Sequence, residues 1–203
     1  QGFFDPSGGW VQRIRAQFEK GILDNLDGDW PEVFNLGISG DTADSLTKRL
    51  AIETGARRLM DDEIVIVVAI GLNDTVFRGS EKASTPELYK GFLQQIVASA
   101  RQYTDKILFV GLTAVDDEMC NPWKYSTTGK CFSNERILKF EKVLREFCNE
   151  NELPMAEVYE AFQGKRIEEN LLADGLHPNE SGHQLIAELV KPKLDELLVK
   201  TEV

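Results

Sequence analysis

The sequence predicts an α/β fold in which a parallel sheet is covered by helices on both faces. Three observations lead there: apolar residues recur at helical spacing in several stretches, short β-branched or apolar runs stand between them, and no linker, repeat or low-complexity tract divides the 203 residues. Such alternation has one stable solution, because helices that each bury one apolar stripe must lie against both faces of a sheet whose strands run parallel. Trp10, Val11, Ile14 and Phe18 come after the Gly8-Gly9 pair and Gly21 stands as a stop, so a first helix is expected from about Gly9 to Lys20. After the Asp27-Gly28 turn, Val33 to Leu36 reads as a short strand, and a second helix begins near Ala43 and carries Leu46 and Leu50. Ile64 to Ile70 is the clearest strand, a continuous β-branched run of the kind found where both faces are buried. Leu88, Phe92, Ile96 and Ala100 mark a third helix, Ile107 to Leu112 another strand, and Asp116 to Phe132 a long loop. Ile137, Phe140, Leu144 and Phe147 share one helical face, Pro154 to Val158 is a weak strand, and the last helix is opened by Pro178 and interrupted by Pro192.

Composition removes several classes of function. With 23 Lys+Arg against 34 Asp+Glu the net charge is -11, which repels phosphate backbones, so no nucleic acid is expected as partner. The longest apolar run, Ile64 to Ile70, is far short of the roughly 20 residues that cross a bilayer. No signal peptide is visible, and Cys120, Cys131 and Cys148 cannot all pair within one chain, so reduced thiols in a cytoplasm are the expectation. Position 1 is Gln and not Met, and the first helix lacks the strand that a βα unit would place before it. A segment upstream of Gln1 is therefore expected.

Ligands of open α/β sheets gather beyond the carboxyl ends of the strands, which directs attention to three loops. Asn35-Leu36-Gly37-Ile38-Ser39-Gly40-Asp41-Thr42 is a Gly-containing turn into a helix that can leave backbone N–H groups pointing outward. Gly71-Leu72-Asn73-Asp74 sets a carboxamide just after the clearest strand. Asp174-Gly175-Leu176-His177-Pro178 puts a carboxylate three residues before an imidazole. A His acting as general base needs an acceptor on its other ring nitrogen, and Asp174 can supply it; the bland alternative makes His177 a helix cap and Asp174 a solvated turn residue. Gly40 has the bland reading of a positive-φ glycine and Asn73 that of an Asx-turn, yet a Gly40 N–H and an Asn73 amide together are donors suited to an oxyanion. His183 reads as a polar surface residue within the last helix.

Taken in order, these loops resemble blocks II, III and V of the SGNH hydrolases, the GDSL-type esterases and lipases, over nearly the whole chain. The resemblance implies a three-layer α/β/α, flavodoxin-like parallel sheet in one domain, 1–203, that needs no cofactor. It also implies functional roles for Gly40, Asn73, Asp174 and His177. Block I, which carries the nucleophilic Ser in a Gly-Asp-Ser motif at the end of the first strand, is expected upstream of Gln1, since Gly2-Phe3-Phe4-Asp5 resembles the segment just after that motif. Ser39 is rejected as its replacement because Asp41 stands where a nucleophile elbow needs Gly, and Ser7 reads as a cap or loop residue. The implied activity is hydrolysis of carboxylic esters or thioesters of small-molecule substrates through an acyl-enzyme. The rival is a catalytically inactive module that keeps the pocket for a small acylated ligand.

Elsewhere, Asp116-Asp117-Glu118 could hold a hard divalent cation, but acidic triplets on loops are mostly solvated and no metal is expected. Trp123, Tyr125 and Phe132 either line an acyl or leaving-group pocket or anchor the long loop. Asp61 and Asp62 precede their strand and so lie at the wrong end of the sheet for a phospho-receiver.

Overall fold

A run of four fully buried residues, Ile107–Val110, forms the middle of the sheet in the computed structural model, which describes residues 2–59, 62–166 and 168–198. This strand, β4, pairs in parallel with β1 (Ile66–Val68) on one side and with β5 (Met155–Ala156) on the other. Helices α2 (Ala43–Gly55), α3 (Pro86–Ala100) and α5 (Asn134–Glu150) pack side by side, while α7 (Glu180–Leu198) packs on β4 and β5 with α1 (Gly9–Asp24) against it. The α/β fold with a parallel sheet and helices is thus the one expected.

The remaining elements surround the carboxyl ends of the strands. They are a single 3-10 turn at Asn73–Thr75, a hairpin of β2 (Phe77–Arg78) and β3 (Glu81–Lys82), and short helices α4 (Asp117–Cys120) and α6 (Tyr159–Lys165). Sequence periodicity anticipates neither the hairpin nor the short helices, since elements of two to seven residues leave no readable period. Among the described residues no helix is long and apolar enough to cross a membrane.

Several expectations need correction. Val33 to Leu36 joins no ladder among the described residues; its Leu36 carbonyl accepts instead from Arg49 Nη1 at 2.9 Å. β1 is shorter than Ile64 to Ile70 and only half-buried; among the described residues β4 alone pairs with it. α1 continues past Gly21 to Asp24, since an exposed glycine inside a helix costs only about 1 kcal/mol, too little by itself to end it. On α3 the buried face is Tyr89, Leu93, Ile96, Val97 and Ala100, whereas Leu88 is exposed. α7 begins at Glu180, where the Asn179 side chain accepts from Gly182 N, and Pro192 lies inside it without ending it. Asp61 lies outside the described residues.

Local chemistry accounts for the helix starts that frame the site. Thr42, Thr85 and Ser133 accept from backbone N–H groups of the first turns of α2, α3 and α5, and Pro86 opens α3 where its missing donor is not needed. Ile137, Phe140, Leu144 and Phe147 all point into the core, as their spacing required.

Candidate active site

The strand β1 delivers the chain to Gly71, whose φ of +129° and neighbours forbid a side chain: a Cβ there would lie 2.4 Å from the Tyr89 hydroxyl. The hydroxyl donates to Ile70 O at 3.0 Å and so fixes the strand end. Asp74 N bonds Gly71 O and Thr75 N bonds Leu72 O, which closes the turn carrying Asn73. Arg136 of α5 holds the far side of this turn through Nε to Thr75 O at 2.7 Å.

Asp74 is almost wholly buried, and both its oxygens accept from Ala43 N, at 3.0 and 3.2 Å. Its carboxylate therefore sits at the positive end of α2 and ties the Asn73 turn to the segment beginning at Gly40. Burial pushes the Asp74 carboxyl up to about 6 against the hydrogen bond from Ala43. Gly40 has a φ of +77°, the left-handed region, with open space around its Cα. Its loop is clamped from α2 by Arg49, which donates from Nη2 and Nε to Asp41 Oδ2 at 2.5 and 2.9 Å.

The third loop returns from α6 to α7. Asp174 Oδ1 accepts from Leu176 N at 3.0 Å and from His177 N at 2.8 Å, while Oδ2 lies 2.8 Å from His177 Nδ1. Burial pushes the Asp174 carboxyl up, but the His177 backbone and ring and Leu176 N together outweigh it and hold it below the usual carboxylate range. Gly175, at φ +84°, carries the close approach to α4, where a Cβ would meet Met119 Cβ at 2.6 Å. Its carbonyl accepts from Asp116 N and Cys120 Sγ. A charged acceptor on Nδ1 favours the tautomer with hydrogen there, leaving Nε2 basic, and Nε2 has no hydrogen-bond partner among the described residues. Two aromatic rings flank the imidazole, Phe4 at 5.8 Å and Trp123 at 5.5 Å between centroids.

The structure thus brings Asp174 and His177 together and links the loops of Gly40 and Asn73 through Asp74. His183 departs from expectation. It is buried, its Nδ1 accepting from Trp10 N at 3.4 Å and its Nε2 donating to Phe3 O at 3.2 Å, so it joins α7 to the start of the chain. Asp116 and Asp117 spend their carboxylates locally: Asp116 accepts from Glu118 N and Met119 N, and Asp117 from Asn134 N and Nδ2. Of the loop aromatics, Phe132 is buried and anchors the segment, Tyr125 is exposed, and Trp123 contacts both Phe132 and His177. Phe4 is a site residue that sequence reasoning missed; its one signal is a Phe-Phe pair between Gly and Asp that belongs to no helix or strand period.

The GDSL-like Lipase/Acylhydrolase family matches residues 1–185. No curated protein sequence matches the chain. Among solved structures it is similar to a lipase/acylhydrolase from Enterococcus faecalis, with 21% identity and a TM-score of 0.69 over 90% of this chain and 85% of that one. TesA aligns with 23% identity and a TM-score of 0.67 over 96% and 92% of the two chains. Axe2, an acetylxylan esterase from Geobacillus stearothermophilus, aligns with 17% identity and a TM-score of 0.70 over 92% and 80%. At these identities the likeness concerns the fold.

Proposed function

The chain belongs to the GDSL-like lipase/acylhydrolase family, and from that premise we propose that it is a serine esterase acting on carboxylic esters or thioesters of small molecules through an acyl-enzyme. The observation that carries the reading is the 2.8 Å contact of Asp174 Oδ2 with His177 Nδ1, which makes Nε2 the basic nitrogen on the open side of the ring. In this mechanism a serine hydroxyl attacks the acyl carbon as Nε2 takes its proton. Gly40 N–H and the Asn73 amide stabilise the oxyanion, and His177 returns the proton to the departing alcohol. Water then repeats the sequence on the acyl-enzyme and frees the acid.

We place the nucleophile in a Gly-Asp-Ser motif before Gln1. The contact of Phe4 with His177 supports this, because it brings the first residues of the chain beside the base. The test is hydrolysis of a short-chain nitrophenyl ester by the full-length protein, together with labelling by a fluorophosphonate. Hydrolysis accompanied by a label on a serine before Gln1 is expected. A labelled serine elsewhere would overturn the placement, and neither hydrolysis nor label would favour a binding module that retains the pocket.

A further inference from the structure

Asn73 stands in a turn too short to hold itself. The turn is the 3-10 segment Asn73–Thr75, closed by Asp74 N to Gly71 O and by Thr75 N and Oγ1 to Leu72 O. So few hydrogen bonds do not offset the entropy of ordering an isolated turn. Beyond Thr75 the chain leaves the body: Arg78, Gly79, Ser80, Glu81, Lys82 and Ala83 are exposed, and buried Ser84 brings it back to open α3. Asn73 therefore lies at the foot of an exposed hairpin, whose motion reaches it unless the stems are fastened.

Arg136 fastens both. Its Nε donates to Thr75 O at 2.7 Å and its Nη2 to Ser84 O, so one guanidinium spans the points where the hairpin leaves and rejoins the body. A planar fork of donors can hold two carbonyls at once, which a single ammonium cannot do with the same rigidity. Arg136 is itself seated in the first turn of α5, with Cζ 5.1 Å from the ring centroid of Phe140 one turn on. The Phe140 ring lies 5.2 Å from that of Tyr89, both rings are fully buried, and the Tyr89 hydroxyl donates to Ile70 O. Ile70 comes before the turn and Thr75 ends it. The contacts from Tyr89 through Phe140 to Arg136 thus grip the Asn73 segment on both sides.

Stability alone does not account for a cation at this place. Arg136 is half-buried, burial pushes its pKa down, and no carboxylate lies within ion-pair distance of it among the described residues. A partly buried charge without a counter-ion is a poor source of stability. What the guanidinium supplies is a fixed two-point geometry. We infer that Arg136 is a positioning residue, which through Thr75 O and Ser84 O holds the Asn73 amide where the oxyanion forms. The inference rests on the esterase reading above and deepens it. Preorganised donors act only at the right distance, and misplacement of a reacting partner by about 1 Å can cost about 10²-fold in rate.

The test is a double-mutant cycle in the full-length protein, read as kcat and KM for a short-chain nitrophenyl ester. Arg136→Met keeps a chain of similar length against Phe140 and removes both bonds, so kcat should fall by about ten- to hundredfold with a smaller change in KM. In an Asn73→Ala background the same substitution should lower kcat by less than about twofold, because the donor it positions is gone. Arg136→Lys, whose ammonium reaches one carbonyl at a time, should lose less than Arg136→Met, and it carries the same cycle should the methionine variant fail to fold. An unchanged kcat in folded Arg136→Met, or an equal loss in both backgrounds, would overturn the inference, since a merely structural arginine acts the same whether or not Asn73 is present. NMR separates this inference from the esterase reading. The side-chain amide signals that Asn73→Ala removes belong to Asn73, and Arg136→Met should shift or broaden them. That change in a protein without ester hydrolysis would sink the esterase reading and keep the placement of Asn73 by Arg136, whereas hydrolysis with unmoved Asn73 signals would do the reverse.

Discussion

The two histidines differ in which of their nitrogens is free. His177 has Nδ1 against Asp174 and Nε2 open, while His183 uses both nitrogens to bind backbone groups, Trp10 N and Phe3 O. His177→Ala should therefore abolish most nitrophenyl ester hydrolysis with little change in Tm. His183→Ala should lower stability by about 1 kcal/mol or more, by removing a buried side chain and the hydrogen bonds it makes to two part-buried backbone groups. Measuring both quantities for both variants decides it, and a stability loss at His177 with intact turnover would reverse the assignment. For Asn73→Ala the expected loss is about 10²- to 10³-fold in kcat with a smaller effect on KM, because an oxyanion donor acts in the transition state. A loss confined to KM would make Asn73 a substrate-binding group.

Two glycines show how differently one residue type behaves within helices. Gly21 lies on the exposed side of α1 with nothing within 4 Å of a Cβ, so Gly21→Ala should stabilise by about 0.5–1 kcal/mol, read from urea melts. Gly182 lies in the first turn of α7, where a Cβ would stand 2.3 Å from Leu171 O. Leu171 begins the return to Asp174 and His177, with Asn179 N bonded to its carbonyl. Gly182→Ala should therefore destabilise the protein and also slow hydrolysis, since relief of the clash must shift that loop. Loss of stability with unchanged kcat would show that the loop is held independently of α7.

The molecule as a whole carries two buried carboxyls whose titration opposes its stability at neutral pH. Burial pushes Glu141 up to about 7, against its hydrogen bond from Leu112 N and the Arg145 guanidinium 3.9 Å from Oε1, an oxygen that has no hydrogen-bond partner among the described residues; Asp74 is pushed up to about 6. A carboxyl raised by folding binds its proton more tightly in the native state. Its contribution is complete below the unfolded values, near pH 4, and is lost as pH rises through 6 to 7. Stability should fall over that interval, by roughly 3 kcal/mol for Glu141 at 1.36 kcal/mol per pH unit. Glu141→Gln should flatten the slope, as urea melts from pH 4.5 to 8 would record; an unaltered slope would show that Glu141 does not titrate there. The sheet makes a second demand at this scale. Among the described residues β1 has a partner on one side only and Val33 to Leu36 runs without a ladder, which is where a strand preceding Gln1 would pair. If it does, the full-length protein should melt higher than the 203-residue chain alone; equal melting temperatures would count against it.

Much of this was legible in the sequence because the signals are local. Continuous runs such as Ile107 to Val110, the helical period of Ile137, Phe140, Leu144 and Phe147, and the three-residue spacing of Asp174 and His177 each need only a few neighbouring residues to be read. The order of three loops carried the family, and with it the fold, because each loop comes after a strand-like run or opens a helix. Tertiary structure decided what depends on partners distant in the chain. Val33 to Leu36 has strand composition but joins no ladder among the described residues, since a strand exists only where another pairs with it. His183 has a surface residue's chemistry but is buried by Phe3 and Trp10, more than 170 residues away. The same holds for the Phe4 and Trp123 rings beside His177, which three separate segments bring together: periodicity records which face a residue shows, but not what meets it there.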